Sequence, residues 1–343
     1  MKKVLGMLAL TLSVAGVANA DQDVLKSINL NTDFRQRYTD KSGSDANGLG
    51  NEGFKSDNKE RRRWRNEVSG TLGLKDEWDL DLNFLYRHDE NRWHKTSDKA
   101  STDLINAELV KPLKLGSIDT KTAFGWRHWT NKEGVNSKKY VGQSNEIYVG
   151  PTFDVNLFGQ NISTTAQAVY FNQNGNGNQD GRYYKNGSQG AKEGWGANLD
   201  LAFGGNFYEG NLGKLGYDVD LAHYLRDANG KDNKSNVYLD YLVGVNYDTP
   251  SYGGFYAFVR PENEWYKHTA KSGYENEFNV WTGFGYKTSV DTGIGTIKIN
   301  PSVRYSVVNK LSDKGNYWNG SEERTTTEKN ELRVGLKVGL DVK

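Results

Sequence analysis

The sequence predicts an all-β chain closed into one transmembrane antiparallel up-and-down β-barrel of about fourteen strands. Three observations carry that reading. Apolar and polar residues alternate at a period of two in segment after segment, as in a strand whose side chains point to opposite faces. The connections between segments alternate long and short, which puts long loops at one end and short turns, with both chain ends, at the other. The apolar parity carries aromatic residues near segment ends and almost no charge, whereas the polar parity is heavily charged.

The first segment, 26–38, sets Ile28, Leu30, Thr32, Phe34 and Tyr38 against Asn29, Asn31, Asp33, Arg35 and Arg37. A polar stretch rich in Gly, Ser, Asn and Asp follows, to about residue 59. Residues 60–88 read as a hairpin turning at Lys75–Glu77. Its first arm sets Trp64, Val68, Gly70, Leu72 and Leu74 against Arg61, Arg63, Arg65, Glu67, Ser69 and Thr71, with Asn66 the exception on the apolar side. Its second arm sets Trp78, Leu80, Leu82, Phe84 and Tyr86 against Asp79, Asp81, Asn83 and Arg87, with Leu85 the exception on the polar side. Residues 88–103 read as a polar loop.

Segments 104–115 and 118–129 form the next hairpin, with Phe124 and Trp126 opposite Lys121 and Arg127. Segment 144–157 sets Ile147, Val149 and Phe153 against Ser144, Glu146, Tyr148 and Asp154, and 162–172 carries Tyr170 on its apolar side. The low-complexity stretch 172–192 is a loop. Segment 194–204 carries Trp195, 215–226 carries Tyr217, and 237–247 has the cleanest apolar face, from Val237 to Tyr247. After a DTPSYGG turn, Val259 and Trp265 oppose Arg260, Glu262 and Glu264. Phe284 and Tyr286 then oppose Glu275 and Glu277, Tyr305 opposes Arg304, and Val334 and Leu336 oppose Arg333 and Lys337.

Composition narrows the function. The 44 basic and 43 acidic residues nearly cancel, so no bulk attraction to a polyanion exists and no nucleic-acid partner is expected. The chain has no Cys, which excludes a disulfide scaffold and thiolate chemistry. Its mean hydropathy is -0.78. Residues 1–20 hold Lys2 and Lys3, an apolar run Val4–Val17 and Ala18-Asn19-Ala20, the pattern of a secretory signal peptide. Residues 21–343 then form a single mature domain. No later apolar run approaches the roughly 18–20 residues of a spanning helix. Strands are the chain's route into a bilayer.

Fourteen strands enclose a lumen too wide for side chains to fill, so the polar parity faces inward and the apolar parity faces lipid. A Lys or Arg on the lipid face near the bilayer centre costs about 2–4 kcal/mol, which fits the scarcity of charge there. Trp64, Trp78, Tyr86, Trp126, Tyr170, Trp195, Tyr217, Tyr247, Trp265, Tyr286 and Tyr305 then mark aromatic girdles. The inward charges are Arg35, Arg37, Arg61, Arg63, Arg65, Arg87 and Arg127 in the early strands. Later strands carry Asp218, Asp220, Asp240, Glu262, Glu264, Glu275 and Glu277, interrupted by Arg226, Arg260 and Arg304. A basic arc facing an acidic arc predicts a transverse field that tunes ion selectivity. The alternative is that the charges pair as wall braces or a plug. None of the five His has close metal-ligand spacing, so no metal, cofactor or catalytic site is expected and the chain reads as no enzyme.

The signal peptide and the barrel pattern of the mature chain resemble a bacterial outer-membrane porin. The strand RRRWRNEVSG running through a turn into WDLDLNFLYRHDEN, with Arg- and Trp-rich strands and Asn-rich loops, is similar to the fusobacterial major outer-membrane type. The resemblance implies a water-filled channel for passive diffusion of ions and small hydrophilic solutes. It also implies an outer-membrane location, extracellular loops, periplasmic turns and homotrimers. One departure stands out: such barrels usually end in an aromatic residue, whereas this chain ends Leu340-Asp341-Val342-Lys343. The residues leave open a channel specific for acidic oligosaccharides, a surface adhesin presenting loops 39–59 and 172–192, and an outer-membrane hydrolase.

Overall fold

The structure is a computed structural model. It describes residues 24–37, 61–74, 79–93, 99–116, 118–135, 138–157, 159–175, 192–228, 236–268, 274–314, 324–326 and 331–342. The signal-peptide region, Trp78 and the loop 39–59 lie outside the described residues, as do residues 176–191 of the loop 172–192. Its strands in chain order are β1 (Leu25–Arg37), β2 (Arg61–Leu74), β3 (Leu80–Trp93), β4 (Lys99–Leu115), β5 (Ile118–Val135) and β6 (Lys138–Leu157). They continue as β7 (Gln160–Gly175), β8 (Lys192–Gly210), β9 (Gly213–Ala228), β10 (Asn236–Asp248) and β11 (Phe255–His268). The last are β12 (Tyr274–Tyr286), β13 (Thr288–Asp291), β14 (Gly295–Lys314), β15 (Arg324–Thr326) and β16 (Glu331–Val342).

Each strand from β1 to β12 pairs antiparallel with the next. β12 then pairs β14, β14 pairs β16, and β16 returns to β1 along Ser27–Arg37, closing the sheet. The short β13 and β15 pair with β14 alone. The wall therefore has fourteen strands, the expected number. Among the described residues no helix is long and apolar enough to cross a membrane. A closed sheet satisfies its backbone groups strand to strand and has no free edge.

The two parities separate as expected. Phe124, Phe284, Val243 and Trp195 are among the large apolar side chains exposed on the outside, Phe284 at 72%. Glu146, Tyr148, Arg226 and Trp281 lie buried on the inside. The Asn66 exception in the first hairpin resolves locally. Asn66 points outward but stands directly across from Thr32, whose hydroxyl is 2.9 Å from its Oδ1. Turn-side connections are tight where Gly116 and Gly159 supply positive φ, a conformation that favours glycine.

The stretch 88–103, read as a loop, is largely strand, and so are most of the residues between the segments 118–129 and 144–157. β3 and β4 stay paired out to Arg92 and Lys99, and β5 and β6 out to Val135 and Lys138. Residues 88–93 and 99–103 of the first stretch thus belong to β3 and β4. Hydrophobic alternation reports a half-buried face, and it vanishes where both faces are wet although backbone pairing continues.

A recurrent pairing explains why a chain rich in aromatics is also rich in glycine. Gly70 stands opposite Phe84, Gly125 opposite Tyr148, Gly205 opposite Tyr217, Gly283 opposite Phe258 and Gly285 opposite Tyr256. In each pair the ring lies over the glycine, and at Gly125 and Gly285 a Cβ would overlap the tyrosine ring. The ring covers backbone that glycine leaves bare, an aromatic rescue that also pins register. Gly125→Val should therefore lower stability by about 1–3 kcal/mol, the usual range for overpacking. Gly335→Ala, whose nearest neighbour would sit 3.5 Å from the new carbon, should change it little. Urea unfolding followed by Trp fluorescence reads the difference.

Candidate functional site

The inner wall carries three distinct arcs. The first is basic and is assembled by closure. Arg304 on β14 stands directly opposite Arg333 on β16, Arg333 opposite Arg35 on β1, and Arg35 opposite Arg63 on β2. Four guanidinium groups thus form one row across four adjacent strands. Like charges directly across strands are destabilising, so the row needs compensation. Asp33 accepts from Arg35 at 2.7 Å. Glu331 accepts from Arg333 and lies 4.0 Å from Arg35. Arg65 and Asp89 form a bidentate pair with both contacts at 2.8 Å, and Arg87 binds Glu67 at 2.7 Å. Arg304 makes no ion pair among the described residues. It lies over the Trp281 ring instead, 4.9 Å from its centroid, with Arg333 4.1 Å away.

The second arc is acidic and spans β9 to β12. Asp218, Gly244, Glu262 and Asn279 occupy one cross-strand row, and Asp220, Leu242, Glu264 and Glu277 the next. Asp240 sits beside them on β10. Among the described residues Asp218, Asp220, Glu262 and Glu264 form no ion pair, and several neutral donors reach this arc. Asn246 donates to Asp218, Asn279 and Asn309 each donate to Glu277 at 3.1 Å, and Trp281 Nε1 donates to Glu262 at 2.6 Å. Trp281 is fully buried and touches both arcs, so it forms their seam. Arg260 leaves this arc for Asp248, 3.2 Å away.

The third arc is a brace. Glu146 on β6, with no exposed surface, accepts from Arg226 Nη2 at 2.6 Å and Arg127 Nη1 at 3.3 Å. Arg226 comes from β9, across two intervening strands. It reaches by lying over Gly196 on β8, where a Cβ would sit 3.1 Å from the arginine Cδ. The same guanidinium donates to Asn198 at 2.9 Å and to the carbonyls of Leu225 and Ala197. Arg127 also stands over the rings of Trp129 and Tyr148, at 5.4 and 5.0 Å.

These placements correct the sequence reading in two respects. The basic and acidic arcs also abut at β12 and β14, because the late arginines Arg304 and Arg333 join the early ones through closure. Arg127 and Arg226 belong to the brace, where the paired-charge alternative holds. Arg35, Arg63, Arg65 and Arg87 lie on the inward parity, as do Asp218, Asp220, Asp240, Glu262, Glu264 and Glu277. The side chains of Arg37, Arg61 and Glu275 lie outside the described residues. Trp281, Arg333 and Glu331 were missed as site residues; the inward parity of each strand held the signal, and the cross-strand register was what it lacked.

Trp64, Tyr86, Trp126, Tyr170, Trp195, Tyr217, Tyr247, Trp265, Tyr286 and Tyr305 lie on the outward parity. Several pair there with other rings: Phe34 with Trp64 at 4.6 Å, Tyr170 with Trp195 at 5.2 Å and Tyr241 with Trp265 at 5.3 Å. A closed antiparallel barrel, apolar outside and charged inside, defines the class of membrane-spanning β-barrels.

No family model matches this chain, and no curated protein matches it. Solved structures of similar outline include a FadL homologue of Pseudomonas aeruginosa, at 9% identity and TM-score 0.47, covering 92% of this chain and 90% of that one. OmpT of Vibrio cholerae, an outer membrane protein in its trimer form, gives 10% identity and TM-score 0.38, covering 92% and 100%. OccAB3 of Acinetobacter baumannii gives 9% identity and TM-score 0.33, covering 93% and 99%.

Removing one partner from a buried ion pair leaves an uncompensated charge, at about 3–5 kcal/mol. Glu146→Gln strands two arginines and should lower the urea midpoint strongly. Lys114→Gln, which breaks the exposed pair with Asp119, should scarcely move it.

Proposed function

We propose that the chain is a channel in the outer membrane of a bacterium, passing ions and small hydrophilic solutes through the lumen by diffusion, without catalysis or cofactor. The observation that carries this reading is the separation of inner charges into a four-arginine row and an acidic arc in which Asp218, Asp220, Glu262 and Glu264 form no ion pair among the described residues. A wall built only for stability would pair such charges, as the brace does. Compensation on these arcs is partial: Arg304 on the basic arc, like those four acids on the other, makes no ion pair among the described residues. That charge leaves a field along the inner wall, which orders water and sorts permeating ions. Export by residues 1–20, loops outside and turns in the periplasm, lipid around the barrel and assembly as homotrimers belong to the same reading. The porin resemblance, and its fusobacterial variety, support it. A channel specific for acidic oligosaccharides is the second reading, favoured by the arginine row itself, since guanidinium forks match carboxylates.

Purified full-length protein in planar bilayers tests this. Current should flow, and Arg35→Gln with Arg304→Gln should move the reversal potential in a salt gradient toward cation preference. Glu262→Gln with Glu264→Gln should move it the other way. Bilayers silent across a range of salt would sink the channel, and a reversal potential indifferent to both pairs would sink the role of the arcs.

A further inference from the structure

On β2 to β5 the outer face changes character before the strands end. Toward the loops its apolar run stops at Trp64, Tyr86, Ile105 and Trp126. The outward positions beyond are polar: Arg62 on β2; His88, Glu90 and Arg92 on β3; Asp103, Ser101 and Lys99 on β4; His128, Thr130 and Lys132 on β5. Groups in the tier next to the apolar run bind one another. His88 and Tyr86 contact Asp103 at 2.7 and 3.0 Å, and His128 contacts Asn145 and Thr130 at 2.8 and 2.9 Å.

The tier above is different. Arg62 stands directly opposite Arg92, and Arg92 directly opposite Lys99. Lys132 lies one strand further, across from Ser101. All four are exposed. The acids near them are Glu90, held by Arg92 at 2.6 Å, and Asp103 in the tier below, within electrostatic reach of Lys132. Arg62 donates to the neutral Gln36 at 2.8 Å. Repulsion between cross-strand cations works against such a row. Along the rest of the loopward outer rim, among the described residues, cations stand singly, as Lys267 on β11 and Lys310 on β14 do.

We propose that Arg62, Arg92, Lys99 and Lys132 bind the phosphorylated headgroup of a membrane lipid, whose acyl chains lie along the apolar strip beneath them. The proposal rests on the membrane-spanning reading of the barrel. On β5 the outward run from Ile118 to Trp126 is nine residues long, close to the roughly 9–11 a strand needs to cross hydrocarbon. Lys132 lies six residues beyond Trp126, roughly 14 Å further along the membrane normal for a strand tilted about 45°, and its long side chain reaches back toward headgroup depth. Trp64, 50% exposed, and the exposed Ile105 offer chain contacts directly below the cations. Guanidinium forks suit phosphate oxygens. A free anion would have no use for the apolar strip, and the cations and strip are continuous on one face.

The test is a titration of the full chain in neutral detergent with phosphatidic acid, phosphatidylcholine and inorganic phosphate. Each basic residue at a membrane surface contributes about fivefold in affinity, so Arg62→Gln/Arg92→Gln/Lys99→Gln should weaken phosphatidic acid binding about a hundredfold. Lys267→Gln should leave it unchanged. Equal binding of the two lipids, undiminished binding by the triple variant, or inorganic phosphate binding as tightly as phosphatidic acid would each overturn the proposal. None of these readouts needs a conducting channel. A chain that binds the lipid yet passes no current sinks the channel and keeps the site; a conducting chain whose lipid binding ignores the three substitutions does the reverse.

Discussion

The rest of the structure depends on closure of the sheet. A polypeptide in hydrocarbon cannot leave backbone N–H and C=O groups unpaired, and a strand can satisfy them only through two neighbours. The pairing of β16 with β1 supplies the last set. It fixes which face each residue takes, because a slip of one residue would turn every side chain to the opposite side. It also brings the two ends of the sequence together, so that Arg304 and Arg333 fall into line with Arg35 and Arg63.

Inside, the same alternation that greases the outer wall concentrates charge, and the chain handles that charge in two ways. In the brace, Glu146 lies between Arg127 and Arg226, buried and fully engaged. On the basic and acidic arcs, compensation is partial, and Trp281 separates the two by giving its face to arginines and its N–H to Glu262. The first arrangement stiffens the wall between β6 and β9. The second leaves charge for whatever occupies the lumen.

Much of this was legible in the sequence because period-two alternation is a local signal. Face assignment, strand number and the outward set from Trp64 to Tyr305 all follow from reading neighbours along the chain. What was not legible depends on register between strands far apart in sequence. The arginine row needs β16 against β1, and the brace needs Arg226 to cross β8 at Gly196. Neither Gly196 nor the Gly125–Tyr148 pair signals its role alone, since a bare glycine has meaning only once its cross-strand partner is known. The strand ends were misjudged for another reason. Above the apolar band, Arg92 and Lys99 keep a backbone partner while losing the alternation that marks a strand.

The central claim is that the polar parity is wet and the apolar parity meets lipid. The absence of native cysteine makes it directly testable by single-cysteine substitution along β10 in reconstituted vesicles. A water-soluble, membrane-impermeant thiol reagent should label cysteines at Asp240, Leu242 and Asn246. It should spare those at Leu239, Tyr241, Val243 and Val245, which a lipid-soluble reagent should reach. The reverse alternation, or labelling that ignores parity, would contradict the account.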